Sequence, residues 1–178
     1  VPRLLVAWLT TEAVRTGQRE LELGHTLSEF MRALEMVPTG GRWGSIPRLR
    51  SQMQRLFSSS VSCTYTGNNA RAGSNFTVAD SYSLWWHPQQ PDQAGLWSSK
   101  VQLSERFFAE VSESPVPIDM RAMKALRRSP MALDIYTWLS HRLSYLKRPT
   151  VIPWIGLQAQ FGADYGRVRD FRRKFIEQ

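Results

Sequence analysis

The sequence predicts an α+β chain, mainly helical and made of two similar units, and three observations carry this reading. Ile46, Leu49, Met53, Leu56 and Phe57 share one face of a helix that opens after the Gly-rich stretch 38–44, at about 100° per residue. β-branched and aromatic residues flank the turn-rich segment GNNARAG at 67–73, as in a hairpin. The apolar spacing of Ile46, Leu49 and Met53 recurs at Val168, Phe171 and Phe175, in a second basic helix near the end of the chain.

Taken in order, residues 1–16 read as a helix with Pro2 in its first turn. Leu4, Leu5, Trp8, Leu9 and Val14 form its apolar stripe, and Gly17 ends it. Residues 19–23, RELEL, alternate as a short strand. A second helix follows over 26–35, with Thr26 and Glu29 at capping-box spacing and Leu27, Phe30, Met31 and Leu34 facing the core. Pro38 stops it, and the third helix takes Ser45 as its N-cap after Gly44. Residues 61–66 and 74–86 form the hairpin, with 101–103 as an edge strand.

Residues 87–99, rich in Pro, Gln and Ser, read as a surface loop anchored by Leu96 and Trp97. Ser104 caps a short helix to residue 113, and Pro115 and Pro117 keep 116–120 extended. Residues 121–128 are a short basic helix. The helix over 131–146 offers Leu133, Ile135, Tyr136, Leu139, Leu143 and Leu146 as core. A short extended piece at 150–152, a helix over 153–161, a turn and a basic helix over 167–178 complete the chain.

Helix, short strand, helix, helix, hairpin is the order of a winged helix, a helix-turn-helix variant with a β wing. The halves superpose with Trp8 on Trp138 and Ile46 on Val168. The expected organisation is a winged-helix unit over 1–103, a connecting segment over 104–120, and a second unit over 121–178 that lacks its wing.

Net charge is +8, from 23 basic and 15 acidic residues, and all but four of the basic residues are Arg. Residues 121–178 alone carry 12 basic against 4 acidic residues. Such a balance favours a polyanionic partner, and guanidinium suits phosphate and guanine. A single cysteine, Cys63, excludes an internal disulfide and a cysteine-based zinc site. No apolar run approaches the roughly 20 residues of a membrane span. There is no signal peptide, and a start at Val1 inside a helical pattern suggests a piece of a longer protein.

Helix 44–57 is the first candidate recognition helix. Arg48 and Arg55 are the foremost base or phosphate readers, with Ser45, Ser51 and Gln52 as lesser partners. Arg42 and the amides at the helix start suit a phosphate. Arg50 lies near the apolar edge, where pairing with an acid of the second helix is the plainer expectation. The second basic helix offers Arg167, Arg169, Arg172, Arg173 and Lys174, five cations within eight positions, with Asp170 as the one acid among them. Arg127 and Arg128 precede a helix start and suit a backbone phosphate or a charged interdomain surface. Asn68, Asn69 and Arg71 would form the wing tip, near a minor groove or backbone. The plain alternative throughout is a solvated charged surface or an ordinary turn.

Trp85, Trp86, Trp97, Trp138 and Trp154 sit at core or docking spacings rather than as a stacking platform. The glycines of PTGGRWGS lack the P-loop pattern. His25, His87 and His141 are far apart, Asp134 stands alone, and Cys63 reads as a small core residue. No catalytic centre, metal site or cofactor is expected.

The chain resembles the plasmid-encoded RepA family of replication initiators. The resemblance rests on PRLLVAWLTTEAVRT from Pro2, LSEFMRAL from Leu27, PTGGRWGSIPRLRSQMQRLF from Pro38, LWW at 84–86, PVPIDMRAMKALRRSPMALDIYTWLSHRLSYL from Pro115 and LQAQFGADYGRVRDFRRKF from Leu157. It implies binding to repeated double-stranded DNA sites, or iterons, at a plasmid origin in the bacterial cytoplasm. It also implies recruitment of the host replication initiator and helicase, and a possible homodimer. The upstream region and the second wing are absent, so DNA affinity is expected to be reduced. The rivals are a protein-interaction module, a transcriptional repressor and an origin-nicking enzyme.

Overall fold

The computed structural model describes residues 2–66, 71–87, 89–162 and 165–178. The chain divides into two compact units, Val1–Pro115 and Val116–Gln178. About half of it is helical, with small antiparallel sheets in the first unit.

The first unit begins with α1 (Pro2–Thr16), whose Leu4, Leu5, Ala7, Leu9 and Ala13 are buried. Val14, expected on that stripe, is exposed. Gly17 closes the helix with φ +64°, a conformation glycine adopts without a Cβ penalty. β1 (Glu20–Glu22) leads to α2 (Leu27–Ala33). The Thr26 hydroxyl accepts from Glu29 N at 3.0 Å, and Glu29 Oε2 accepts from His25 N at 3.1 Å. The carboxylate therefore holds the amide one residue before the cap, a shifted form of the expected box. All four residues expected to face the core from α2 are buried. α2 ends at Ala33, two residues before its pattern suggested, with Leu34 as its C-cap. Glu35 N then donates to Arg32 O, and Met36 N, after Glu35 at φ +54°, donates to Met31 O.

α3 (Ser45–Phe57) buries Ile46, Leu49, Met53 and Phe57. β2 (Ser60–Thr66) and β3 (Arg71–Thr77) then form a two-stranded ribbon, with Cys63 opposite Ser74 and Thr66 opposite Arg71. β4 (Ala79–Ser83) and β5 (Lys100–Leu103) join β1 in a second sheet, ordered β1-β5-β4. The stretch read as one strand over 74–86 is thus two, divided at Val78, and β5 is a central strand rather than an edge. Its alternation is clear, with Val101 and Leu103 buried, because one face lies on the core. Cys63, expected in the core, is exposed on the ribbon.

The core of this unit gathers Leu5, Leu9, Phe30, Leu49, Phe57 and Val101 with their neighbours. Phe30 is stacked on Trp86 at 5.2 Å and meets Trp8 edge-on at 5.0 Å, and such ring pairs add to area burial. α4 (Glu105–Glu113), capped by Ser104, packs against α1 and β3 and brings Phe107 into the same core. It belongs to the first unit, whose boundary therefore falls at Pro115 rather than at residue 103.

The second unit holds α5 (Met120–Ala125), α6 (Pro130–Tyr145), α7 (Trp154–Phe161) and α8 (Val168–Ile176). No strand occurs among its described residues, so 150–152 joins no ladder. Asp119 caps α5 and Ser129 caps α6. The basic helix expected over 121–128 stops at Ala125, leaving Arg127 and Arg128 in the turn before α6. Only Ala132 and Leu133 are buried on α6. Leu139 and Leu143, expected in the core, are exposed. An aromatic cluster replaces a broad aliphatic core. Phe171 is fully buried between Trp154, Tyr165 and Phe175, and Phe161 meets both Trp138 and Phe175. Gly162 permits this, because a Cβ there would stand 2.9 Å from the Phe171 ring and 2.8 Å from Gln158 O.

Candidate nucleic-acid interface

α3 is positioned by the turn before it. Thr39 N donates to Ser45 Oγ at 2.9 Å, Ser45 N donates to Thr39 Oγ1 at 2.8 Å, and Ser45 Oγ donates to Val37 O at 2.7 Å. The formal N-cap is Gly44, which has no side chain to cap with. Thr39, six residues upstream of Ser45, supplies the acceptor that a capping side chain normally gives. Ser45 is therefore a structural member of the turn, not the cap the sequence suggested, and its hydroxyl is already committed. A Cβ at Gly44 would run into the Thr39 and Gly40 carbonyl oxygens, and Gly41 has φ +79°.

The outward face of α3 carries Arg48, Gln54 and Arg55, all exposed, with Ser51 half-buried beside them. Arg48 Nη2 donates to Trp43 O at 2.5 Å, which folds the guanidinium back over the turn. The Arg42 guanidinium lies over the Trp43 ring, 5.3 Å from its centre. Arg50 is half-buried. Gln52 is half-buried too, and its buried Oε1 accepts no hydrogen bond from any described residue. That acceptor faces the protein, which removes it from the reading face.

In the ribbon, Asn68 and Asn69 lie outside the described residues. The backbone of Arg71 opens β3, and its side chain lies outside them too. Residues 72 and 73, expected in the wing tip, are paired in the ribbon with Tyr65 and Thr64.

In the second unit, Arg167, Arg169, Arg172, Arg173 and Lys174 are all exposed. They are not equivalent. Arg172 lies over the Trp154 ring at 5.4 Å, and Lys174 pairs with Glu177 at 2.7 Å. That hydrogen bond from Lys174 holds the Glu177 carboxyl below its ordinary pKa. Arg169 stands 3.6 Å from Asp170. Arg127 and Arg128 are exposed at the start of α6. Of the candidate cations, one group lies on α3 with its turn and another on α8, and Arg127 and Arg128 precede α6.

Residues 1–154 match the family model described as plasmid encoded RepA protein. The chain belongs to that family. It is a plasmid replication protein, and the match runs from α1 through α6 and stops at Trp154, where α7 begins. Nothing among curated proteins or solved structures matches the chain. No described helix of this RepA-family protein is long and apolar enough to cross a membrane. Among the described residues, no three His, Cys, Asp or Glu side chains come together as metal ligands.

The sequence reading missed Thr39 and Trp43. Trp43 stands between Arg42 and Gly44, in the Gly-rich turn ahead of the helix, and that position was the available signal. Of the tryptophans assigned to packing, Trp86 is buried and Trp138 and Trp154 are half-buried. Trp85 and Trp97 are exposed, as is Leu96 of the supposed anchor.

Proposed function

We propose that this protein initiates plasmid replication by binding repeated double-stranded sites at the plasmid origin through α3 and α8, and acts by recruitment rather than by chemistry. The observation that carries the reading is α3 itself, buried through Ile46, Leu49, Met53 and Phe57 and presenting Arg48 and Arg55 outward. A helix of this kind fits a major groove. The order α1-β1-α2-α3, followed by a sheet ordered β1-β5-β4, supports a winged-helix reading of the first unit. On that reading the loop between β4 and β5 takes the wing position, and the β2–β3 ribbon is an addition. The second unit is a helical partner that brings α8. Tethering raises the effective concentration of its contact once the first is made. Host initiator and helicase are the partners, self-association and autorepression accompany the role, and the site of action is the bacterial cytoplasm.

The test is binding to an origin duplex against a scrambled duplex across a salt series. Replacing Arg48 by Glu and Arg173 by Glu together should abolish the preference for the origin. Single replacement of either by Ala should lower the salt slope by about one. Equal binding of both duplexes by the native chain overturns sequence recognition by this chain. Nicking of supercoiled origin DNA in magnesium would overturn the non-enzymatic role.

A second reading, a protein-interaction module, draws on the exposed Leu139, Leu143 and Ile176. It predicts capture of a partner with an apolar face that survives both Arg replacements.

A further inference from the structure

Trp43 is 78% exposed at the tip of the turn before α3. A lone exposed apolar residue is ordinary on a protein surface. This one is held out by a built scaffold. The hydroxyls of Thr39 and Ser45 exchange hydrogen bonds with each other's backbone amides, and Gly44 N donates to Gly41 O at 3.0 Å. No Cβ fits at Gly44. The indole is thus fixed away from the core on a rigid turn, where a loop tip would normally carry small polar residues.

Its surroundings define the ligand. The Arg42 guanidinium lies over the ring at 5.3 Å, and Arg48 donates to the Trp43 carbonyl. The first turn of α3 contains no acidic side chain, and its helix dipole adds positive potential. An apolar pocket of a protein partner would have to bury these cations unpaired, which is costly. A planar ring attached to a phosphate suits all three groups at once. Bases have a face to stack on indole, and their phosphates suit guanidinium.

We propose that Trp43 takes an unstacked nucleobase, with Arg42 and Arg48 on the adjoining phosphates. This deepens the reading of α3 as DNA-facing and rests on it. A perfect duplex offers no free base face in its interior, so the contact is made where a base is unpaired or a step has opened.

The experiment compares the full chain on an origin duplex, on the same duplex with one unpaired base in each repeat, and on either single strand. The native protein should bind the bulged duplex more tightly than the perfect one. Trp43→Ala should remove that difference, lowering affinity for the bulged duplex about tenfold with the salt slope unchanged. Trp43→Phe should keep part of it. Trp43→Leu, apolar but not planar, should behave as the Ala variant. Because Trp43 is exposed, the thermal midpoint of all three variants should match the native one. A native protein indifferent to the bulge, or a Trp43→Ala or Trp43→Leu variant that retains the preference, overturns the proposal while leaving perfect-duplex recognition standing. Absence of native binding to every probe overturns the DNA reading and the proposal with it.

Discussion

The two units solve the same problem of presenting a basic helix with different amounts of core. α3 rests on a continuous core drawn from α1, α2, the sheet and α4. α8 rests on Phe171, which meets Trp154 and Tyr165 edge-on and Phe175 at a tilt, while Leu139, Leu143 and Ile155 of the same unit are exposed. Broad aliphatic burial spreads stability over many side chains. The second unit buries only Met123, Ala132, Leu133, Leu157 and Phe171 among its described hydrophobic residues, which concentrates it. The second unit should therefore be the weaker and more easily broken of the two.

The largest expected effect tests that concentration. Phe171→Ala should cost about 3–5 kcal/mol and abolish the lower transition in thermal or urea unfolding, leaving the upper one in place. Leu49→Ala should cost about 2–5 kcal/mol and lower the upper transition without eliminating it. If Phe171→Ala shifts a single transition that both units share, the comparison fails.

Next comes the turn of the first unit. Thr39→Ala removes the acceptor for Ser45 N and should cost about 1 kcal/mol, read as a lower urea midpoint of the upper transition only. Thr39→Ser should restore it.

A smaller effect concerns acid. The side-chain hydrogen bond from Arg121, helped by the Arg121 backbone amide, holds the Asp119 carboxyl below its ordinary pKa. A depressed folded pKa gives stability that is present above the unfolded pKa and lost as pH falls through the folded value. The second unit should thus weaken on acidification below the ordinary aspartate range. Asp119→Asn, which keeps a capping oxygen, should flatten that limb in an acid titration followed by circular dichroism.

The smallest effect is at the surface of α6. Leu143 is 64% exposed, and Leu143→Gln should change stability by no more than about 0.5 kcal/mol. A larger loss by calorimetry would mean that this face is covered in solution, and the contrast in packing would shrink.

The helices of the first unit were legible because each buries a clean stripe, and period alone located Leu27, Phe30, Leu49 and Met53. Thr26 and Ser104 declared their helices by capping chemistry. The ribbon was less legible. Ser60, Ser62, Thr64 and Asn75 are exposed along with Cys63, and of its described side chains only Val61 and Phe76 pack against the core. Little alternation is therefore imposed on the ribbon, and its break at Val78 left no mark. Leu139 and Leu143 misled for the opposite reason, since helical spacing records amphipathicity and not whether a partner covers it. Ser45 showed the limit of cap rules, because a hydroxyl from six residues upstream took the role. In the candidate interface, Arg48 and Arg55 fell where the period put them. Gln52 turned inward, a matter of rotamer that spacing does not carry.

The hydroxyl lock between Thr39 and Ser45 has a consequence for how this protein can change. It sets the angular zero of α3 from outside the helix. Each residue inserted after Ser45 would rotate everything beyond it by about 100°, sending Arg55 toward the core and a core side chain toward solvent. Substitution at 48, 51 or 55 leaves that zero untouched. New binding preferences are therefore reachable by exchanging letters on a fixed dial, and closed to changes in the helix's length.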